Sequence, residues 1–310
     1  MTRSAARLYD ALRTAERGHR RHAKGGRRAS IAAIFRVHPT SGEEQVLFIR
    51  RADNPRDPWS GNVALPGGRQ DAVDGGDDEA TATRETLEEV GLDLTGWERL
   101  GRLTDDRIVK RAGGSMAVSM FGFVARNGGN SLPSGDELTL QASEVAEAWW
   151  VNTCWIDADR LEWRKVGLGT MVKGLSSWPV AARVLHVLGL DSFNFAAIAL
   201  PLPVTMAPLP PLHPNHETYQ LWGLTLAFFS DVLRNSGGRP LVGAGAPEAF
   251  AHAFTSSSQS ALARSASWMF HRVRIHGAKP MAAVAVAAFS AAVGFGVAAI
   301  RYVSSARYIT

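Results

Sequence analysis

The stretch Leu65–Leu94, LPGGRQDAVDGGDDEATATRETLEEVGLDL, decides how this chain is interpreted, because glycines stand at its front and carboxylates at its back. From about Asp77 its pattern is helical. Asp77 and Asp78 occupy the first turn, where acidic side chains suit the helix dipole, and Gly91 is a natural C-terminal stop. We therefore expect a glycine-rich turn followed by a helix from about Asp77 to the stop at Gly91.

Three carboxylates of that helix carry the chemistry. Glu85 and Glu89 are four residues apart and share a face, and Glu88 lies beside them, so all three are expected to point toward one place. Such like charges repel one another unless a cation sits among them. Hard oxygen ligands favour Mg²⁺ or Mn²⁺ over zinc. The alternative is a solvated acidic helix that is stabilised by its own arginine, Arg84.

The neighbouring residues favour the metal site. Arg84 can pair with a carboxylate and hold it in place. Gly67 and Gly68 let the backbone approach closely, so that a carbonyl can also reach the ion. A Mg²⁺ site with few protein ligands usually recruits substrate phosphates. The reaction that this indicates is attack of water on a phosphorus within a diphosphate.

The same residues resemble the Nudix box, in which a Gly is followed after five residues by a Glu and after seven more by Arg-Glu-apolar-any-Glu-Glu-any-Gly-apolar. Gly68 matches the first Gly, and Asp74 stands where the family has Glu. Residues 75–83 make a gap of nine, and Thr86 replaces an apolar residue. The second half of the box matches in register at Arg84, Glu85, Glu88, Glu89, Gly91 and Leu92.

The resemblance implies a Nudix-type α/β/α sandwich with a mixed sheet, with the box as loop–helix–loop. It implies that Glu85, Glu88 and Glu89 are the ligands of Mg²⁺ or Mn²⁺, and that Arg84, Glu88 and Glu89 belong to the catalytic set. The general base is one of these glutamates or a loop acid. The loop candidates are Asp136, Glu137 and Glu144.

Two further stretches look like the coenzyme A diphosphatase branch of the family. They are residues 46–71, VLFIRRADNPRDPWSGNVALPGGRQD, and residues 221–225, LWGLT, so the resemblance spans about 29–235. The branch pattern departs by one residue between Arg56 and Gly61, which are separated by four. Substrate phosphates are expected to meet Arg50, Arg51, Arg56, Gly67 and Gly68.

The resulting hypothesis is a Mg²⁺-dependent hydrolase that cleaves coenzyme A or acyl-coenzyme A to adenosine 3′,5′-bisphosphate and phosphopantetheine. A second hypothesis keeps the enzyme and changes the substrate to ADP-ribose, NADH or another nucleoside diphosphate derivative. A third comes from another class of protein, an inactive nucleotide-binding module tethered to a membrane.

Other segments carry the secondary-structure pattern of an α/β protein. Strands are expected at 30–37, 44–51, 62–68, 115–125 and 147–152, and an extended segment at 193–202. Helices are expected at 178–190 and from near Trp222 to 235–238.

The net charge of +5 is unevenly spread over the 310 residues. Residues 1–28 hold nine basic side chains against Asp10 and Glu16, a net +7, which leaves −2 for the rest. This basic segment is either a surface helix or an organelle presequence. Because the excess is confined to it, no nucleic-acid partner is expected. The single cysteine, Cys154, excludes an internal disulfide framework.

The last part of the sequence predicts a membrane segment. Residues 237–279 read as a flexible linker, and Met281–Ile300 runs for twenty residues without a charge. The alternative is a buried helix of a soluble domain. We expect a transmembrane tail anchor at 280–301 after a Nudix domain at 29–236. The basic flanks indicate a catalytic domain facing the cytosol, and the weakly apolar span indicates a mitochondrial or peroxisomal membrane.

Overall fold

The computed structural model describes residues 12, 26–55, 57, 59–103, 106–111, 114–125, 138–167, 183, 192–202, 219–235 and 239–241. The chain divides into two units, Met1–Ser256 and Ser257–Thr310, and every described residue lies in the first. The predicted transmembrane segment, nearly all of the predicted linker and basic segment, and the predicted helix at 178–190 except Arg183 lie outside the described residues. Their boundaries stay predictions.

The described part of the chain consists mainly of strands, with two longer helices. The strands are β1 Arg27–Val37, β2 Glu44–Arg51, β3 Val63–Ala64, β4 Gly67–Arg69, β5 Glu98–Arg102, β6 Arg107–Arg111, β7 Gly114–Val124, β8 Val145–Asn152, β9 Leu161–Gly167, β10 Ser192–Leu200 and β11 Tyr219–Trp222. The helices are α1 Asp78–Val90 and α2 Gly223–Asn235.

The main sheet is mixed, as the resemblance implied. Its eight strands include the path β3-β2-β1-β7-β5, with β4 beside β1, β6 beside β7 and β8 beside β2. The central pair, β1 and β7, is parallel over nine residue pairs. The other pairings of this sheet are antiparallel.

The two helices cover opposite faces of this sheet, because successive side chains of a strand point to opposite sides. On β1, Ala32 and Ile34 belong to one buried cluster, which also contains Ala82 and Val90 of α1. Phe35, in contrast, belongs to a second cluster with Phe228 and Phe229 of α2. The expected α/β/α arrangement is therefore present.

A smaller sheet, β11-β10-β9, follows the main one in sequence. The expectation of an extended segment at 193–202 is met by β10, and the helix expected near Trp222 begins at Gly223. We did not predict β5, β6, β9 or β11. Strands β5, β6 and β9 are rich in charged residues and have weak strand patterns of their own, and they exist because β7 and β10 supply partners.

In the part of the chain that the structure describes, no helix combines the length and the apolar character needed to cross a membrane.

Candidate active site

The glycine pair of β4 brings the sheet against α1. Gly67 has φ +142°, and a Cβ on it would stand 2.6 Å from the Cα of Ile31 on β1, so only glycine fits there. Its amide N–H donates to Glu89 Oε2 at 2.8 Å. A Cβ on Gly68 would stand 2.5 Å from Cδ of Glu85. Gly67 therefore allows close contact with β1 and binds Glu89 through its N–H, while Gly68 makes room for the Glu85 carboxylate.

The two extra residues of the box form a turn that leaves the helix in register. A 3₁₀ turn at Ala72–Asp74 is followed by Gly75 and Gly76, with φ values of +60° and +83°. Asp77 then caps α1 by accepting the N–H of Glu79 at 2.8 Å. The insertion is absorbed before the helix begins, because two glycines tolerate the left-handed conformation.

Asp74 is a buried anchor for Arg84. Its carboxylate oxygens lie 2.7 Å from Arg84 Nε and 3.0 Å from Nη2. It also accepts the Thr81 hydroxyl at 2.9 Å and the Asp71 N–H at 2.8 Å. The hydrogen bond from Arg84 holds the pKa of Asp74 well below its usual range. Aspartate thus supplies here the acidic partner that the family pattern places at this position.

Arg84 also binds two of the glutamates on α1. Its Nη1 donates to Glu88 Oε2 at 2.8 Å, and its Nη2 donates to Glu85 Oε1 at 3.0 Å. The same Nη2 reaches the carbonyl of Arg69 at 3.0 Å. One guanidinium therefore links the glycine-bearing strand to the side chains of the helix.

Glu89 is the most enclosed of the three glutamates, with 1% of its surface exposed. Burial raises its pKa to about 8; the Gly67 N–H and Arg51 act against this, and the charges of Glu85 and Glu144 add to it. Burial also raises the pKa of Glu85. Carboxylates that are this enclosed and close to one another favour a bound cation.

The three carboxylates make different contacts, and their joint role as metal ligands stays a prediction. Glu89 accepts the N–H of Gly67, and Glu85 lies against Gly68. Glu88 is largely exposed and pairs with Arg84. Among the described residues, no three acidic, histidine or cysteine side chains are already grouped as a metal site. The donor chemistry nevertheless fits Mg²⁺ or Mn²⁺, since these are oxygen ligands with repulsive charge that a divalent ion would neutralise.

Thr86, the departure from the apolar pattern, is fully buried on the inner side of α1. Its hydroxyl donates to the carbonyl of Ala82 at 2.8 Å. Because the helix backbone satisfies the hydroxyl, threonine fits a position where the family has an apolar residue.

The segment before β8 brings a fourth carboxylate. Gln141 N donates to the carbonyl of Glu89 at 3.0 Å, and Ala52 N donates to the carbonyl of Glu144 at 2.8 Å. Glu144 is exposed, and its charge contributes to the raised pKa values of Glu85 and Glu89. The other two loop acids, Asp136 and Glu137, lie outside the described residues.

The predicted phosphate-binding arginines separate. Arg51 faces the acidic side: it pairs with Asp57 at 2.8 Å, and its charge lowers the pKa of Glu89. Arg50 is directed elsewhere, with its Nε 3.0 Å from Glu147 and its Nη1 3.4 Å from Asp53. Adjacent residues of a strand point to opposite faces, which explains the separation. Arg56 lies outside the described residues, and the phosphate-binding roles stay predictions.

A buried charge cluster at the start of α1 was missed. Arg28 of β1 pairs with Asp78 at 2.5 Å and with Asp106 at 3.0 Å. Arg102 pairs with the same two carboxylates at 3.0 and 2.6 Å, and the Ser119 hydroxyl joins them. These residues lie far apart in sequence, so no local pattern indicates them.

A cavity of about 420 Å³ adjoins this cluster, and its lining does not include Glu85, Glu88 or Glu89. Its lining alternates in charge, which gives no net attraction for an anion or a cation. The lining residues are Arg28, Gly76, Asp77, Asp78, Glu79, Arg99, Arg102 and Phe121.

Residues 27–168, just under half of the chain, match the family model of the NUDIX domain. The resemblance of the box is thereby confirmed at the level of the superfamily. The match covers β1 to β9 and includes every carboxylate described above.

A relative in Schizosaccharomyces pombe, itself an uncharacterized protein, is 30% identical over 228 residues. The match covers 66% of this chain and 65% of the yeast protein. This chain therefore spans just under two thirds of that relative's length.

Similar solved structures include an Ap4A hydrolase of C. elegans in a binary complex, 18% identical with a TM-score of 0.32, where the match covers 41% of this chain and 80% of that one. The NUDIX domain of Shewanella oneidensis NrtR with ADP ribose is 20% identical with a TM-score of 0.32, covering 43% and 76%. A MutT protein of Methanosarcina mazei is 21% identical with a TM-score of 0.31, covering 44% and 83%. These likenesses are too distant to say anything about this chain's substrate.

Proposed function

We propose that this protein is a Mg²⁺-dependent diphosphatase that hydrolyses coenzyme A or acyl-coenzyme A to adenosine 3′,5′-bisphosphate and phosphopantetheine. The observation that carries the reaction type is the set of carboxylates on α1, fixed by the Asp74–Arg84 pair against Gly67 and Gly68. The coenzyme A branch is supported by the sequence resemblance of residues 46–71 and 221–225.

Each part of the site has a task in this proposal. Glu85, Glu88 and Glu89 would hold Mg²⁺ or Mn²⁺, which when bound neutralises diphosphate oxygens and acidifies the attacking water. Arg84 keeps Glu85 and Glu88 in place. Among the described loop acids, Glu144 is the one whose charge acts on Glu85 and Glu89. In this proposal it takes the proton of the water as general base.

The test is a substrate panel with the full-length protein purified in detergent. Coenzyme A, acyl-coenzyme A, ADP-ribose and NADH are incubated with Mg²⁺ in heavy-oxygen water, and the products are weighed by mass spectrometry. The masses identify the cleaved bond, and the label identifies the attacked phosphorus. Turnover of ADP-ribose or NADH without cleavage of coenzyme A would reject the coenzyme A branch and leave a diphosphatase of other substrate.

Matched variants on one helix separate catalysis from folding. Glu85→Gln and Glu89→Gln are expected to lower turnover by at least about a hundredfold, because metal binding is worth several kcal/mol in the transition state. Glu79→Gln is the control: this residue lies on α1 and pairs with Arg99 at 2.7 Å, outside the site. Nucleotide binding without turnover, together with Mg²⁺ binding unchanged in Glu85→Gln and Glu89→Gln, would instead identify an inactive binding module.

The same proposal includes a membrane anchor at 281–300, because this segment has no charge and is long enough as a helix to cross a bilayer. Imaging a fluorescent fusion, with and without residues 280–310, tests both the anchor and the organelle. We expect the intact fusion at a mitochondrial or peroxisomal membrane and the shortened one released from it. Identical distribution of the two fusions would remove the anchor from the proposal.

A further inference from the structure

The geometry points to Tyr219 and Trp222 of β11 as positioning residues for the substrate. They fix the two ends of the β2–β3 loop, residues 52–62, and thereby set how tightly the diphosphate substrate binds. The inference rests on the proposed hydrolase function. Both residues lie beyond the part of the chain that matches the family model.

Tyr219 acts at the first end of the loop. Its hydroxyl donates to the Glu147 carboxylate, whose two oxygens lie 2.6 and 2.7 Å away. Glu147 in turn accepts from Arg50 Nε at 3.0 Å, and Arg50 Nη1 reaches Asp53 at 3.4 Å. Arg50 and Glu147 are buried, so the hydroxyl completes a water-excluded network that ends at the first residues of the loop.

Trp222 acts at the second end. Its indole N–H donates to Asn62 Oδ1 at 3.2 Å. The Asn62 carbonyl accepts the N–H of Arg51 at 3.0 Å, which closes the loop at its base. The indole is itself held: Phe195 meets it edge-on with centroids 5.4 Å apart, and Arg164 lies 4.5 Å over its ring.

The loop is joined to the acidic site. Arg51 precedes it, and that side chain pairs with Asp57 of the loop at 2.8 Å while its charge acts on Glu89. The N–H of Ala52, the first loop residue, donates to the carbonyl of Glu144 at 2.8 Å. A shift of either loop end is therefore expected to move Arg51 relative to the carboxylates of α1.

This position predicts an effect on binding more than on the chemical step. The loop contacts the site through Arg51 and through backbone, whereas Glu85 and Glu89 are held independently by Arg84 and Gly67. Loss of the neutral hydrogen bond between Trp222 and Asn62 corresponds to about a three- to tenfold change in an equilibrium constant. Loss of the hydrogen bond from Tyr219 to the Glu147 carboxylate corresponds to at least about tenfold, because the acceptor is charged. A contact that served stability alone would lower the melting temperature and leave the KM unchanged.

Trp222→Phe and Tyr219→Phe in the full-length protein test the inference, because each removes a single donor and keeps an aromatic ring. Trp163→Phe is the matched control, since Trp163 lies on β9 of the same small sheet with 55% of its surface exposed. We expect the KM of the best substrate to rise about three- to tenfold in Trp222→Phe and at least about tenfold in Tyr219→Phe, with kcat and Mg²⁺ affinity changed by less than about twofold. The amides of residues 52–54, 57 and 59–62 are expected to exchange hydrogen faster.

A double-mutant cycle identifies the contact. Asn62→Ala should raise the KM as Trp222→Phe does, and the two changes together should add nothing further, because they remove one hydrogen bond. Unchanged KM and unchanged hydrogen exchange in Trp222→Phe and Tyr219→Phe would overturn the inference, as would fully additive effects in the cycle.

The proposed function and this inference can fail separately. If the wild-type protein hydrolyses nothing in the panel, the hydrolase proposal fails. The ADP affinity of the same variants and the hydrogen exchange of the β2–β3 loop then decide whether Tyr219 and Trp222 position that loop. Neither measurement needs turnover. Equal ADP affinity and equal exchange in all variants would reject the inference in that case too.

Discussion

Gly68 lies directly under the carboxylate of Glu85, so that a Cβ on this glycine would stand 2.5 Å from Glu85 Cδ and 2.7 Å from Oε1. The backbone of Gly68 is not in the left-handed region, so the constraint at this position is space and not conformation. Glycine is therefore required at the two positions for different reasons. At position 67 the φ of +142° and the close contact with β1 require it, and at position 68 a side chain would collide with Glu85.

Gly68→Ala should therefore displace Glu85. We expect kcat/KM to fall by about a hundredfold, the cost of misplacing a catalytic group by roughly an ångström. The free energy of unfolding should fall by only about 1–3 kcal/mol, as for other overpacked sites. In a Glu85→Ala background the added methyl group has nothing to displace, and Gly68→Ala should then cost little more activity. A full additive loss in that background would show that the glycine has another role.

Asp74→Asn tests the anchor of Arg84. The amide keeps the shape of the side chain and loses its charge, so a buried hydrogen-bonded ion pair becomes a weaker contact. We expect a loss of about 2 kcal/mol in the free energy of unfolding, measured by urea denaturation, and a lower kcat. The control is Asp159→Asn, which alters a pair with Arg239 in which Asp159 is 83% exposed, and which should change neither quantity appreciably. A variant as active as the wild type would mean that Arg84 needs no support from Asp74.

Glu144→Gln tests the general base. If Glu144 takes the proton of the attacking water, kcat should fall by about a hundredfold or more, while the Mg²⁺ affinity changes little. A fall of less than about threefold would assign the base to another acid, with Asp136 and Glu137 of the same segment as the next residues to replace.

Acid should loosen the start of α1. Burial alone would raise the pKa values of Asp78 and Asp106. Hydrogen bonds and charges from arginines, chiefly Arg28 at Asp78 and Arg102 at Asp106, lower both pKa values below the ordinary value. A carboxyl whose folded pKa is depressed binds fewer protons in the folded state. Its stabilising contribution is present above its unfolded pKa of about 4 and is lost as the pH falls through the folded value.

Urea denaturation from pH 7 down to pH 3 measures this effect. Asp78→Asn should be less stable than the wild type at pH 7 and should lose less stability on acidification, because one of the two titrating groups is gone. Asp159→Asn should follow the wild-type curve. A curve for Asp78→Asn that runs parallel to the wild type over the whole range would contradict the assignment.

Local sequence signals predicted the box helix closely. Gly91 ends it in the left-handed conformation and Asp78 lies in its first turn, as predicted, whereas Asp77, also expected in the first turn, is the capping residue before it. Strand β2 was predicted with its observed bounds, because its apolar run is bounded by a turn. By contrast, β5 and β6 carry charged residues through their lengths, and their state depends on pairing with β7, which no local pattern shows.

The site was predictable where chemistry and helical spacing coincide, and not where it depends on tertiary contacts. Spacing grouped Glu85, Glu88 and Glu89 but could not show that Arg84 donates to both Glu85 and Glu88. The pair of Arg28 and Asp78 spans 50 residues, and that of Tyr219 and Glu147 spans 72. Contacts over such separations are decided by the sheet order, which the sequence pattern alone leaves open.

The parallel pairing of β1 with β7 has a consequence for synthesis of the chain on the ribosome. Arg27 to Phe35 pair with Met116 to Val124, so β1 cannot gain this neighbour until residue 124 has left the exit tunnel. Until then, the apolar side of α1, with Ala82 and Val90, has only part of the sheet on which to pack. Nascent chains halted shortly before residue 124 should therefore be bound by chaperones and cut by proteases, whereas chains long enough to expose β7 should resist both.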